Sequence, residues 1–320
     1  MTPFAFVFPG QGSQAVGMLD AWGDHPVVAQ TLVEASDALG EDLGSLIHSG
    51  PKEALALTTN TQPVMLVAGV AAYRAWIAET GLTPAVVAGH SLGEYAALVA
   101  SGVLTLAQAA PLVRFRAQAM QDAVPVGVGA MAAILGMDSA QVTAGCSEVM
   151  AGMAGAPNEV VEAVNFNDPA QTVIAGSKVA VEKACELLKA KGAKRALPLP
   201  VSAPFHSSLM RPAADRLRER LAALDLAAPR IPVLNNIDVA VRDSADDIRD
   251  ALYRQAFGPV RWVECVRAIK ARGVDTVVEC GPGKVLAGLV KRIDAELTSG
   301  AVYDPASLAQ TKNQLETTPA

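Results

Sequence analysis

The sequence predicts an α/β fold in which helices cover a parallel, doubly wound sheet and a small second sheet is inserted. Two observations support this fold class. Over the first ~100 residues, short apolar runs that end in Gly or Pro alternate with helical patterns, as is typical of parallel sheets. Between residues 126 and 198 the predicted order becomes strand, helix, strand, strand, helix, strand, which is the ferredoxin-like arrangement.

The elements of the larger sheet follow from apolar runs and the turn residues beside them. Phe4–Phe8 is ended by Pro9 and Gly10, and Pro84–Ala88 precedes a Gly, so both runs are predicted to be buried strands. Two later strands are predicted at Ile231–Asn235 and Thr276–Glu279. The helices predicted around this sheet are Val27–Leu39, Val64–Thr80, a helix that ends at Ala100, Leu106–Met120, Ala213–Leu224 and Val285–Leu297.

The second sheet is predicted from four further strands and two helices. The strands are Ala130–Leu135, Val160–Phe166, Thr172–Ala175 and Arg195–Leu199, and the helices are Ser139–Met150 and Val179–Ala190. The prediction is therefore a discontinuous core, residues 1–125 and 199–300, around an inserted subdomain at residues 126–198. Residues 301–320 are polar and are predicted to form a C-terminal tail.

Composition excludes several classes of protein. A length of 320 residues fits two units at ~150 residues each, and 51% apolar with 4% aromatic residues implies a core of small aliphatic side chains. A net charge of −6 without long charged runs argues against nucleic-acid binding, which needs a basic surface. The uncharged stretch Tyr95–Val113 is interrupted by Gly and Pro, so it is predicted to be two buried helices and a loop rather than a membrane span.

The N-terminus and the cysteines point to the cytoplasm. Residues 1–19 lack a basic start and contain a Pro-Gly turn, so no signal peptide is expected. Cys146, Cys185, Cys265 and Cys280 form no CxxC pair. This usage fits reduced thiols in a cytoplasmic protein, with neither a disulfide framework nor a metal site.

The strongest chemical signal is Ser91, in the segment Gly89-His-Ser-Leu-Gly93 between a predicted strand and a predicted helix. A serine on such an elbow is held at the carboxyl edge of the sheet, and the flanking glycines permit the tight turn. The following helix directs backbone N–H groups at the same point. The pattern predicts that Ser91 is a nucleophile.

A nucleophilic serine needs a base, and the chain has only four histidines. His90 is adjacent to Ser91 on a sharp turn, where neighbouring side chains diverge, and His25 and His48 lie in polar segments. His206 follows the strand that leaves the inserted subdomain, so its loop is able to return to the sheet edge. We therefore predict His206 as the base. No acid stands in a clear position to orient it, and a backbone carbonyl is the alternative.

Two glycine-rich segments partly match the motifs of nucleotide-binding loops. Gly10-x-Gly12-x-x-Ala15 follows a strand, but the acidic residue at the required distance, Glu34, falls inside a helix, so the dinucleotide interpretation fails. The alternative is a tight loop that brings the Gln11 amide beside Ser91. Residues 281–284 lack the P-loop spacing.

Arg116 has two open interpretations. It lies at the edge of the apolar stripe of the helix Leu106–Met120. In one interpretation it is a surface arginine whose aliphatic stem covers that stripe, and in the other it binds a substrate carboxylate. The position fits the first at least as well as the second.

Together these segments resemble the acyltransferase family of fatty-acid and polyketide synthesis, in particular its malonyl-CoA:acyl carrier protein transacylases. The motifs that carry the resemblance are Phe8-Pro-Gly-Gln-Gly-Ser-Gln14, Thr61-Gln-Pro63, Gly89-His-Ser-Leu-Gly-Glu94, Phe115-Arg116, Gly129-Ala-Met-Ala-Ala133, Asn165-Phe-Asn-Asp-Pro-Ala-Gln171, Ala203-Pro-Phe-His206 and Gly281-Pro-Gly-Lys-Val-Leu286. The resemblance implies an α/β-hydrolase-like core with a ferredoxin-like insertion.

The resemblance also implies roles for individual residues. Ser91 would take the malonyl group with His206 as its base, and the backbone amides of Gln11 and Leu92 would form the oxyanion hole. Arg116 would bind the free malonyl carboxylate. The substrate pocket would include Gln62, Asn165 and Phe205, and the carbonyl of Gln255 would orient His206. Phe205 departs from the smaller residue that many stand-alone members carry there.

The implied reaction transfers malonyl from malonyl-CoA to the phosphopantetheine thiol of acyl carrier protein through a malonyl-serine, supplying fatty-acid biosynthesis. Such ping-pong chemistry uses no cofactor and no metal, and neither nucleic acid nor a membrane is an expected partner. The alternatives are a serine esterase or thioesterase, a trans-acting polyketide-synthase acyltransferase, and a non-catalytic module that binds carrier protein. The last would lack Ser91 or His206.

Overall fold

The computed structural model describes residues 2–156 and 159–317. The strands are β1 (Phe4–Phe8), β2 (Val86–Gly89), β3 (Gly129–Leu135), β4 (Val161–Asp168), β5 (Gln171–Ser177), β6 (Arg195–Pro198), β7 (Val233–Leu234), β8 (Thr276–Cys280) and β9 (Thr298–Val302). The helices are α1 (Pro26–Leu39), α2 (Leu43–Ser49), α3 (Lys52–Ala56), α4 (Thr58–Thr80), α5 (Gly93–Ala100), α6 (Leu106–Asp122), α7 (Ser139–Gly152), α8 (Lys178–Ala190), α9 (Arg211–Ala222), α10 (Ala245–Ala256), α11 (Trp262–Ala271), α12 (Val285–Ile293) and α13 (Pro305–Thr317).

Two separate sheets organise these elements, and the predicted fold class is confirmed. The larger sheet has the order β7-β2-β1-β8-β9 and its strands run parallel. The smaller sheet has the order β4-β5-β3-β6 and is antiparallel, with α7 and α8 packed on it. Its strands lie within the predicted insertion at residues 126–198. Because the carboxyl ends of parallel strands share one edge, the loops after β1, β2 and β7 are brought together.

The core of the larger unit is mainly small aliphatic side chains, with an aromatic cluster between α4 and β1. α4 is buried over most of its length and packs against β1. There Phe6 stands edge-on to Trp76 at 5.3 Å and to Tyr73 at 6.2 Å between ring centroids, a favourable arrangement for aromatic rings. An aromatic cluster thus lies where the longest helix of the described chain crosses a central strand.

The predicted C-terminal tail is wrong. Residues 298–302 form β9, which extends the parallel sheet beside β8, and residues 305–317 form α13. The physical reason is a sparse apolar pattern within a polar segment: Val302, Leu308 and Leu315 are buried. The boundary predicted at residue 300 therefore cuts through a strand of the main sheet.

One predicted helix begins earlier in the structure than expected. α4 begins at Thr58 rather than Val64, because Pro63 lies within its second turn without ending it. The uncharged stretch Tyr95–Val113 is divided between α5 and α6, as predicted. No helix in the described part of the chain has the length and apolar character needed to cross a membrane.

Candidate active site

Ser91 lies on a strained turn between β2 and α5. Its φ is 53°, in the left-handed region that costs a non-glycine residue energy. The flanking glycines are required by close packing. A Cβ on Gly93 would lie 2.0 Å from the carbonyl oxygen of Phe8, and one on Gly89 would lie 1.9 Å from the Gly93 backbone. The sequence thus holds Ser91 at the carboxyl edge of the sheet.

His206 reaches Ser91 from the loop after β6. Its Nε2 is 2.6 Å from the Ser91 Oγ, and its Nδ1 is 2.9 Å from the carbonyl oxygen of Gln255. Because a carbonyl only accepts hydrogen bonds, Nδ1 carries the proton and Nε2 is left to accept the serine hydroxyl. The residues predicted as nucleophile, base and orienting carbonyl therefore lie in one hydrogen-bonded chain.

The environment of His206 keeps its ring neutral. The side chain is buried, and burial, followed by the positive charge of Arg116, lowers the pKa of His206 to about 3. Desolvation disfavours the charged imidazolium, and a nearby cation acts in the same direction. At neutral pH the ring is consequently able to accept a proton from Ser91.

Arg116 is buried rather than exposed, which excludes the surface interpretation. Only 2% of the residue is accessible. Its Nη1 donates to Gln62 Oε1 at 2.6 Å, while Nη2 donates to Gln255 Oε1 at 3.2 Å and to Ser91 Oγ at 3.3 Å. No carboxylate of the described residues forms an ion pair with it, and burial lowers the pKa of Arg116. A buried guanidinium without a directly paired carboxylate is costly, so this pocket favours an anionic ligand.

Gln11 and Leu92 line the same pocket as Ser91. The Gln11 side-chain oxygen accepts a hydrogen bond from Thr58 Oγ1 at 2.8 Å. The loop after β1 approaches closely, since a Cβ on Gly10 would lie 2.6 Å from the carbonyl oxygen of His90. Leu92 precedes the first turn of α5, where amide groups lack helical partners. Both positions are suited to an oxyanion hole.

The pocket lies between the two sheets and has a volume of about 120 Å³. The core supplies Gln62 and Arg116, and the small sheet supplies Asn165 on β4. Phe205 contributes an apolar wall beside His206. The Asn165 Oδ1 is buried without a hydrogen-bond partner in the described part of the chain, so it is available to a ligand. All three residues predicted for the substrate pocket therefore line it.

The other histidines have different partners. His90 Nε2 is 2.8 Å from Asn167 Oδ1, and its ring stands edge-on to Trp262. His48 pairs with Asp20 at the surface, and His25 lies 3.3 Å from Glu79. Within residues 2–156 and 159–317, no group of three or more His, Cys, Asp and Glu residues is arranged to hold a metal ion.

Sequence reasoning missed a polar network behind the elbow. Asn236, two residues after β7, accepts from the Ser91 amide and donates to the Gly89 carbonyl, both at 2.8 Å. The Glu94 Oε2 accepts from the Asn236 amide at 2.9 Å and from Gln255 Nε2 at 3.1 Å. The available signal was Glu94 itself, an acidic residue one helical turn after Ser91 in an otherwise apolar helix.

Comparison with known proteins identifies the family. Residues 5–309 match the model of the acyl transferase domain. The chain belongs to this family. It is 53% identical to the malonyl CoA-acyl carrier protein transacylase of Escherichia coli K12 over 310 residues, which cover 97% of the chain and 98% of that protein.

Solved structures agree. The acyl-carrier-protein S-malonyltransferase of Burkholderia pseudomallei is 64% identical with a TM-score of 0.94, over 98% of this chain and all of that one (100%). A malonyl-transacylase solved in complex with a type II polyketide-synthase acyl-carrier protein is 50% identical with a TM-score of 0.94, over 98% of this chain and 100% of that one.

Proposed function

We propose that this acyltransferase moves the malonyl group from malonyl-CoA to the phosphopantetheine thiol of acyl carrier protein, supplying extender units for fatty-acid biosynthesis. The observation that carries the proposal is Arg116, a buried cation without an anionic partner beside the Ser91–His206 pair. Malonyl thioesters carry a free carboxylate next to the reacting carbonyl. A single ligand therefore supplies an anion for Arg116 and an electrophile for Ser91. The names of the relatives support the same substrate and acceptor.

In the proposed first half-reaction, Ser91 Oγ attacks the thioester carbonyl as His206 Nε2 takes its proton. The developing negative charge on the carbonyl oxygen would be met by the amides of Gln11 and Leu92. The tetrahedral intermediate then collapses, the carbon–sulfur bond breaks, and His206 returns the proton to the departing thiolate. The Gln255 carbonyl stabilises the imidazolium through Nδ1.

In the second half-reaction, the thiol of the carrier protein attacks malonyl-Ser91. His206 takes the thiol proton and returns it to Ser91 Oγ as the ester bond breaks, giving ping-pong kinetics. The thioester brings all of the activation, so the proposed reaction uses no cofactor. Leu92 and Phe205 are the residues we propose to favour malonyl over bulkier acyl groups.

A cytoplasmic location completes the proposal, and the four unpaired cysteines support it.

The nature of the carrier protein leaves a second candidate. A trans-acting acyltransferase of polyketide synthesis would use the same site, and the 50% identical relative in complex with a polyketide-synthase carrier favours considering it. Comparing transfer rates to a fatty-acid carrier and to a polyketide carrier distinguishes the two functions. A higher rate with the polyketide carrier would replace the fatty-acid assignment.

Intact-mass measurement after incubation with malonyl-CoA tests the reaction itself. We expect one malonyl adduct on the protein, which disappears when holo acyl carrier protein is added and reappears on the carrier. Release of free malonate without transfer would instead identify a thioesterase. A failure to form the adduct would overturn the proposed function.

A further inference from the structure

The buried carboxylate of Glu94 lies behind the catalytic elbow and contacts the backbone and side chains that hold it. Only 2% of Glu94 is exposed. Its Oε2 accepts from the Asn236 amide and from Gln255 Nε2, at 2.9 and 3.1 Å. Two donors on one buried oxygen satisfy much of a carboxylate that would otherwise be expensive to bury.

The contact with Gln255 fixes which way its side-chain amide points. Gln255 Nε2 also donates to the Ser91 carbonyl at 3.0 Å, and its Oε1 accepts from Arg116 Nη2 at 3.2 Å. If the amide were flipped, its oxygen would face the Glu94 carboxylate and its N–H₂ would face the guanidinium. Acceptor would then meet acceptor and donor would meet donor, and neither contact is a hydrogen bond. Glu94 therefore selects the orientation that leaves Arg116 bound.

The same carboxylate acts on the backbone around the serine and the histidine. Asn236, whose amide Glu94 holds, bonds the Ser91 amide and the Gly89 carbonyl. Gln255, held at its side chain, presents its own carbonyl to His206 Nδ1. Asn236 and Gln255, which Glu94 contacts, thus form hydrogen bonds to Ser91 and His206 respectively. Both of these residues have strained, positive φ values.

We propose that Glu94 is a positioning residue whose ionised carboxylate orients Gln255 and Asn236, and through them Ser91, His206 and Arg116. The proposal rests on the proposed acyl transfer only for the identity of the substrate. Hydrogen bonds to an ionised acceptor are about twice as strong as those to a neutral one, so the protonation state of Glu94 changes how firmly the network is held.

Burial raises the pKa of Glu94 to about 7. The titratable and charged groups around it are Arg116 from α6, Asp238 and Arg242 from the loop after β7, the Cys265 thiol from α11 and Tyr95 on its own helix. Arg116 lowers the pKa, and Asp238 opposes it. Glu94 consequently gains its charge as the pH rises through neutrality, and we expect acylation to accelerate over the same range.

The test is the pH profile of Ser91 acylation in wild type and in Glu94→Gln. We expect the wild-type rate to rise about fivefold with a midpoint near pH 7, from the stronger bonds of the ionised form. An amide resembles the protonated acid, so Glu94→Gln should hold the low-pH rate at every pH from 6 to 8. Burial and Arg116 lower the pKa of His206, and a step that disappears in Glu94→Gln is assigned to Glu94.

Glu279→Gln is the matched control. Glu279 is also fully buried, and burial raises its pKa to about 7 as well. It accepts from the Ala287 amide at the start of α12 and has no contact with the elbow network. We expect Glu279→Gln to retain the step near pH 7. Persistence of the step in Glu94→Gln, or its loss in Glu279→Gln, overturns the proposal.

Two further measurements separate positioning from folding and from substrate identity. Glu94→Ala should lower the rate by about 10- to 100-fold, because both bonds to the carboxylate are lost. Thermal unfolding reports whether either variant is merely unstable, and Glu94→Gln keeps the shape of the site. The burst with p-nitrophenyl acetate is measured beside malonyl-CoA. A pH step in the burst without malonyl acylation would refute the substrate and leave the positioning role intact.

Discussion

The substitution Arg116→Ala tests the substrate class most directly. In the proposed complex the malonyl carboxylate leaves water for a pocket in which Arg116 is the cation, held from two sides by Gln62 and Gln255. Guanidinium is able to meet a carboxylate with two parallel, charge-assisted hydrogen bonds. Removing it strands the carboxylate in a place where no ion pair replaces it.

The size of the effect follows from the burial of the pair. Removing one partner of a buried ion pair costs ~3–5 kcal/mol, and each ~1.4 kcal/mol is a factor of ten. We therefore expect kcat/KM for malonyl-CoA to fall by roughly two to four decades. Acetyl-CoA has no carboxylate to strand, so its transfer should be unchanged or improved. Arg116→Lys should recover only part of the malonyl rate, since an ammonium cannot form the two parallel bonds.

The assay compares malonyl and acetyl acylation of the same variants, which makes acetyl transfer an internal test of folding. Arg114→Ala is the matched control. Arg114 lies two residues earlier on α6 and contacts Asn60 and Glu41 instead of the pocket, so its ratio of malonyl to acetyl rates should equal that of wild type. If the ratio in Arg116→Ala stays within about threefold of wild type, the carboxylate is bound elsewhere.

Three further substitutions test the elbow and its base. Ser91→Ala should abolish the malonyl adduct seen by intact mass, and an adduct on another residue would identify a different nucleophile. His206→Ala should slow acylation by about 10²- to 10⁴-fold, as loss of a general base does, whereas normal acylation would contradict its role. Gly93→Ala should lower the free energy of unfolding in urea by about 3 kcal/mol, because the new Cβ meets the Phe8 carbonyl. The control Gly152→Ala, with open space around it, should be neutral or stabilising. Equal urea midpoints for the two variants would refute the packing argument.

The elements that could be predicted are those whose signal is local. The apolar run of β1, the glycines around Ser91 and the order of strands and helices along residues 126–198 are readable from neighbouring residues. The C-terminal strand β9 and helix α13 were not, because Val302, Leu308 and Leu315 are few and far apart in a polar segment. These residues are buried because β9 and α13 pack at the edge of the sheet beside β8. A pattern of neighbouring residues does not reveal such a long-range contact.

The site was predictable only where chemistry restricts the residue type. Four histidines left one base, whereas periodicity placed Arg116 at the edge of a stripe and could not decide between surface and pocket. The helix α10 decides it, since Gln255 on that helix covers the guanidinium. Asn236 and Glu94 are polar residues in apolar segments, and only the fold reveals that they contact one another.

Gln255 accounts for the absence of a third acid from the proposed mechanism. Its side chain stands between Glu94 and Arg116, bonded to both, so the carboxylate supports the cation without pairing with it. An acid in direct contact would compete with a substrate carboxylate for the guanidinium. The carbonyl of Gln255 meanwhile orients His206 without adding charge. Neutral groups in both places leave Arg116 without a directly paired carboxylate, so its guanidinium is available to an anionic acyl group.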